Sequence, residues 1–329
     1  MRMLASVGVC VPLAVGAVGQ QAANKTWIAV SDGYTQQLLQ VQLRHQPEGG
    51  SAQGLAQFDP QVSQPTLADE RAQRRELEAV LGRLRAAKGT EKNENVLQDL
   101  AILEKSFNLQ FRNQDYADVH DVPFINASQA VFGGLRTLLD DQVAEERRPA
   151  AVVRLRKYAG VEPGFKPLTE ILKQREMEQM AKPGVLYPSR GEMETELGRN
   201  QSYIEGMAAL FRKYKLTGWE EPYAKLTAEL TEYDAWVRAT LLPKARTDFR
   251  LPAAEYALAL EGFGIDIPPA ELAAKAHAAF AEYQGSMAPL AAEIAKAHGW
   301  KSTDYRDVIR ELKKTQITGD AILPSTRRG

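Results

Sequence analysis

Apolar side chains recur along this chain at intervals of three and four rather than two, a spacing that predicts helices almost throughout. Residues 27–43 form a first helical segment, which Gln46-Pro47-Glu48-Gly49-Gly50 interrupts. A polar loop through Phe58-Asp59-Pro60 to Pro65 follows. Thr66 then stands as an N-cap, with Asp69 three residues on, where its carboxylate can meet free backbone N–H groups. Leu77, Val80, Leu81 and Leu84 make the i, i+3, i+4, i+7 stripe of a core-facing helix. Val96, Leu100, Leu103 and Phe107 repeat it, as do Val131, Leu135 and Leu138 after a break at Val122-Pro123. Residues 148–158 make a short helix that Gly160 and Pro163-Gly164 end.

A loop from Lys182-Pro183-Gly184 to Pro188 offers a place to divide the chain. Beyond it Met193, Leu197, Ile204, Met207 and Phe211 resume the helical spacing, and Tyr223, Leu226, Leu230, Tyr233, Val237 and Leu241 continue it. The longest element, residues 269–297, carries Leu272, Ala276, Phe280, Tyr283, Met287, Leu290 and Ile294, as antiparallel helix packing requires. Pro268-Pro269 suits its start, where a missing N–H costs nothing. The expected fold is therefore all-α, an elongated multi-helix array of two lobes, residues 25–181 and 182–323, with an irregular tail at 324–329. Near the end, Val308, Ile309 and Leu312 share a helix face, and Ala321-Ile322-Leu323-Pro324 leads into Ser325-Thr326-Arg327-Arg328-Gly329. A frayed terminus and a truncated one fit this ending equally.

The N-terminus adds a cellular address. Met1-Arg2-Met3 gives a short positive start, residues 4–18 are apolar, and both Val15-Gly16-Ala17 and Ala17-Val18-Gly19 suit a signal peptidase. Residues 1–19 thus read as a signal peptide, cleaved near 17–23, and the protein as exported, periplasmic or secreted. The run is shorter than the roughly 20 apolar residues of a membrane span. The only cysteine, Cys10, lies inside it, so the mature chain has neither disulfide nor thiol nucleophile. The 41 basic and 42 acidic side chains balance, which gives no footprint for nucleic acid.

Candidate chemistry is sparse. A helical zinc hydrolase needs two histidines one turn apart with a glutamate between them. The four histidines here, His45, His120, His277 and His298, include no pair three to five residues apart. His120 precedes Pro123 in a predicted loop, and His277 and His298 take surface positions on helices. Gly285-Ser286-Met287 lies within a helix without a nucleophile elbow, and Gly262-Phe263-Gly264 has no strand before it. Asp140-Asp141, Glu145-Glu146, Glu192, Glu194 and Glu196 are acids whose neighbours, such as Arg147 and Arg148, favour a solvated salt-bridge face. Trp219, Trp236 and Trp300 follow helical spacing, which favours core packing over a binding groove. The residues therefore nominate no catalytic, cofactor-binding or metal site.

Several segments resemble a bacterial family known as domain of unknown function 885. They are Trp27-Ile28-Ala29-Val30-Ser31-Asp32 with Tyr34-Thr35-Gln36, then Asp140-Asp141-Gln142-Val143 and Glu146-Arg147-Arg148-Pro149-Ala150-Ala151-Val152-Val153-Arg154-Leu155. Lys157-Tyr158-Ala159-Gly160 and Glu162-Pro163-Gly164 continue the likeness, which runs over residues 25–323. The resemblance implies a helical fold similar to gluzincin-type zinc metallopeptidases, in which a His-Glu pair and a later Gly-His on one helix bind the metal. That helix belongs to the second half of the family's sequence, and no residue here matches it. The resemblance thus implies zinc for the full-length family but assigns none to this chain, which it casts as the N-terminal, non-catalytic portion of a peptidase-like hydrolase. Its partners would be a peptide substrate or the remaining half, and helices that pack on that half would expose apolar stripes. The alternative is a self-sufficient helical binding or scaffold protein of the cell envelope.

Overall fold

The structure, a computed structural model, describes residues 26–317 and residue 319. The signal segment 1–19, its cleavage region, Cys10 and the tail 324–329 lie outside the described residues. Among the described residues the architecture is all-α, as the three-and-four spacing predicts. Among these described residues the extended pairings are two isolated parallel bridges, Asp121 with Leu186 and Ser189 with Arg246.

Helix α1 (Thr26–His45) ends at Gln46, and Pro47 at once starts α2 (Pro47–Ala52), where its absent N–H and fixed φ suit a first turn. The interruption read from the sequence is thus a restart rather than a loop. A 3₁₀ turn at Ala56–Phe58 follows. Phe58 and Asp59 are buried, so the segment expected to be a polar loop is an internal one. α3 (Leu67–Lys88) is capped by Thr66, whose Oγ1 accepts from the Asp69 N–H at 3.1 Å. α4 (Glu94–His120) is capped by Asn93, whose side chain accepts from the N–H groups of Asn95 and Val96. Leu38 and Val41 of α1, Leu77, Val80, Leu81 and Leu84 of α3, and Val96, Leu100, Phe107 and Phe111 of α4 bury one another in a three-helix core. At about 1.5–3 kcal/mol per fully buried large apolar side chain, this stripe holds the three helices together.

α5 (Ala127–Arg136) begins under Asn126, whose Oδ1 accepts from the Gln129 N–H while its Nδ2 donates to the Glu196 carbonyl, each at 3.0 Å. One side chain therefore caps a helix and ties it to a chain segment 70 residues away. Residues 140–148, expected as a solvated salt-bridge face, form turns and a 3₁₀ element (Glu145–Arg147). α6 (Ala150–Tyr158), α7 (Leu168–Met180), α8 (Arg190–Leu197), α9 (Asn200–Lys213) and α10 (Glu220–Thr240) complete a larger core running from Val122 to Ala245. In it Trp219 is buried and stacks on Phe211, centroids 5.3 Å apart and planes 7° from parallel, a packing role in line with its helical spacing.

α11 (Ala253–Gly262) carries the boundary between two compact units, the first ending at Leu258 and the second beginning at Ala259. The loop 182–188, proposed above as a divide, lies within the first unit, where Leu186 and Ser189 form the two bridges. The second unit is built on α12 (Pro269–His298) and α13 (Tyr305–Lys314). Gly299, at φ +67, closes α12 in the left-handed conformation that favours glycine. Ala291 and Ala295 pack on Val308, with Ile294, Trp300 and Tyr305 around them. Further along α12, Phe280, Tyr283 and Leu290 stay 63%, 70% and 56% exposed.

Candidate functional site

A set of interlinked polar side chains inside the first unit lies where residues 47–66 meet α5 and α6. Its geometry starts from two glycines. A Cβ on Gly50 would stand 2.5 Å from the Phe58 ring, and one on Gly134 would collide with the Tyr158 hydroxyl. The first glycine lets residues 47–66 fold closely on themselves, and the second lets α5 and α6 approach. Tyr158 then donates to Glu48 Oε1 at 2.7 Å, and the same oxygen accepts from the Ser63 N–H at 2.9 Å. Ser63 Oγ donates to the other oxygen of Glu48.

Asp59 is the second anchor. It accepts from Ser51 Oγ at 2.6 Å, from Arg147 Nε at 2.8 Å and from Arg147 Nη2 at 2.7 Å. Arg147 Nη2 also donates to the Ser51 carbonyl at 2.9 Å. Burial pushes the Asp59 carboxyl up, but the bonds from Arg147 and Ser51 outweigh it and hold the group below its ordinary value. Arg147, placed on a solvated face by the sequence, instead turns inward to a residue 88 positions away. Arg148 is equally sheltered, its Nη2 donating to the Val143 carbonyl at 2.8 Å and its guanidinium 4.5 Å over the Tyr214 ring, and the Tyr214 hydroxyl donates to Asp141.

Arg154 has no exposed surface. Its Nη1 donates to Thr137 Oγ1 at 2.8 Å and to the Gly134 carbonyl, and its Nη2 to the Phe58 carbonyl at 3.2 Å. A delocalised fork is the cation suited to three such diverging acceptors. Lys157 donates to the Pro60 carbonyl at 2.7 Å and lies over Phe165; burial lowers its pKa. Buried Tyr158 is pushed well above the usual phenol range, first by burial and then by the Glu48 charge. The acids and bases named here each have an internal partner, and together they clamp residues 47–66 to α6 and the turn before it.

A second buried group sits between α7 and α10. Glu176 is 1% exposed and lies 2.6 Å from the Tyr233 hydroxyl, which also reaches the Ile125 carbonyl at 3.0 Å. Sequence reading passed over Glu176, yet Leu168, Leu172 and Glu176 are spaced by fours, which places the acid on the buried stripe.

The histidines do not fit zinc. His45 joins α1 to α3, its Nδ1 2.8 Å from Asp69 Oδ1 and its Nε2 3.5 Å from Glu76 Oε1, and Glu76 also pairs with Arg44. His120, expected in a loop, is the last residue of α4 and lies 4.5 Å from the Tyr116 ring. His277 is exposed on α12, and exposed His298 stacks on Trp300. Among the described residues no group of three His, Cys, Asp or Glu side chains could hold a metal. A concavity beside Trp300 and Lys301 is lined by Ser302, Asp307 and Arg310, which bond to one another.

The fold and this clamp define a class: a helical chain whose two arginines fasten an N-terminal segment by buried polar bonds. The chain belongs to the family described as bacterial protein of unknown function (DUF885), which it matches over residues 47–327. The match starts with the clamped segment, and the likeness at Trp27 to Gln36 lies before it. No curated protein and no solved structure matches the chain. No helix among the described residues is long and apolar enough to cross a membrane.

Proposed function

We propose that this chain is the non-catalytic helical portion of an exported, peptidase-like hydrolase, supplying a wall of the substrate channel and leaving zinc chemistry to residues it does not contain. The observation that carries the reading is the open stripe of α12. Phe280, Tyr283 and Leu290 lie on the helix face that the sequence marks as packed, yet they stay more than half exposed. Burying each would stabilise a complex by up to about 1.5–3 kcal/mol, and contiguous apolar patches mark surfaces that another polypeptide covers.

The test is hydrolysis of a peptide library by the purified chain with and without added zinc. The reading expects no zinc-dependent cleavage and no stoichiometric zinc after dialysis. Cleavage that chelation abolishes and zinc restores would overturn it. The same stripe also fits a self-sufficient binding protein of the cell envelope. A monodisperse oligomer that Phe280→Glu dissociates would favour that second reading.

A further inference from the structure

We propose that Glu176 is held as a neutral acid and works as a pH-sensitive latch, joining α7 to α10 and to the segment before α5, and opening when it loses its proton. The argument begins with one hydrogen atom. The Tyr233 hydroxyl lies within bonding distance of two acceptors, Glu176 Oε1 and the Ile125 carbonyl, but has a single proton to give. With Glu176 ionised, one acceptor must go without, while Glu176 Oε2 is already buried with no hydrogen-bond partner. With Glu176 protonated, the acid donates to the Tyr233 oxygen and Tyr233 donates to Ile125, so the relay closes.

The charges around it are engaged elsewhere. On α7, Lys173, one turn before Glu176, lies over the Trp236 ring of α10 at 5.4 Å, Arg175 turns away to Glu70 of α3, with Glu178 3.9 Å from its guanidinium, and Gln179 is uncharged. On α10, Glu229 pairs with Lys225 at 3.2 Å and Asp234 with Arg238 at 2.7 Å, which leaves Tyr233 as the titratable group facing Glu176. α5 contributes one charged residue, Arg136, at its far end, and Asp121 is the acid of the segment before it. Burial accordingly pushes the Glu176 carboxyl up to about 8, against the opposing bonds from Tyr233 and the Ile125 main chain.

The unfolded chain releases this proton near the ordinary glutamate value of 4.5, whereas the folded chain keeps it to about 8. Stability from this residue is therefore intact below 4.5 and falls as pH rises between the two values. The variant Glu176→Gln retains a donor to Tyr233 and has no proton to lose. Urea unfolding of both proteins across this range should show the variant's folding constant gaining on the wild type by up to about tenfold per pH unit, then levelling. A ratio that stays constant with pH would overturn the latch. Should the variant not fold, amide exchange on the wild-type protein decides. Between about pH 7 and pH 9, protection corrected for intrinsic rate should fall in α7 and residues 121–126 more than in the α3 core. A parallel change in both regions would equally overturn it.

Discussion

Replacing Asp59 by Asn, Arg147 by Gln, and both together measures what fastens residues 47–66. The pair is bidentate, with Nε and Nη2 at 2.8 and 2.7 Å from the two carboxylate oxygens. The side chains are only 5% and 17% exposed, so solvent screens the pair little. A surface ion pair would contribute about 0–1 kcal/mol, whereas removing one partner of a buried pair costs about 3–5 kcal/mol, because the other is left charged and unpaired. Each single variant should therefore lose about 3 kcal/mol or more, the double variant should lose less than the sum, and the coupling should reach about 2 kcal/mol. Urea unfolding of the four proteins at neutral pH gives these values, and limited proteolysis should find residues 47–66 opened first. The pH dependence carries a second signature. Because the folded Asp59 carboxyl sits below its ordinary value, its contribution is present above 3.8 and lost as pH falls through the folded value; Asp59→Asn should flatten that acid limb. A coupling below about 0.5 kcal/mol would refute the reasoning, since it would mean the pair behaves as a solvated surface contact.

Three further outcomes are open to the same methods. Arg154→Lys should cost about 1–3 kcal/mol in urea unfolding, because one ammonium replaces a fork that spans α5 and the 3₁₀ turn and leaves acceptors underserved. Gly50→Ala should cost about 1–3 kcal/mol, since its Cβ would stand 2.5 Å from the Phe58 ring and the clamped segment must shift. Phe280→Glu, at a site 63% exposed, should leave stability within about 0.5 kcal/mol yet reduce self-association in sedimentation; a large loss of stability would show that the α12 stripe is already packed.

Helices and caps were legible because they are set by neighbours in sequence. Thr66 caps α3 through a bond three residues long, and Leu77, Val80, Leu81 and Leu84 share a face whatever the rest of the chain does. Arg147 was misread for the opposite reason. Its local neighbours, Glu145, Glu146 and Arg148, describe a solvated run, while its partner Asp59 is set by the tertiary fold. Pro47 shows a milder case, since a proline after Gln46 signals a break but not that a new helix begins in the next residue. Glu176 lay in plain view at four-residue spacing from Leu172, yet a charged residue on an apolar stripe is read as an exception until the fold shows it buried beside Tyr233.

The stretch of the family resemblance from Asp140 to Gly160 contains the four side chains that reach back to residues 47–66. Arg147 binds Asp59, Arg154 binds the Phe58 carbonyl, Lys157 binds the Pro60 carbonyl, and Tyr158 binds Glu48. All four bonds are internal, and each ties α6, or the turn before it, to a segment about 90 to 110 positions away. Such residues define how the chain is assembled, because changing one leaves a buried partner charged or unpaired. They need not touch a substrate to have that effect. The clamp thus fixes how this chain is assembled, while the open face of α12, built from residues the resemblance does not single out, is where an interaction with another polypeptide is to be sought.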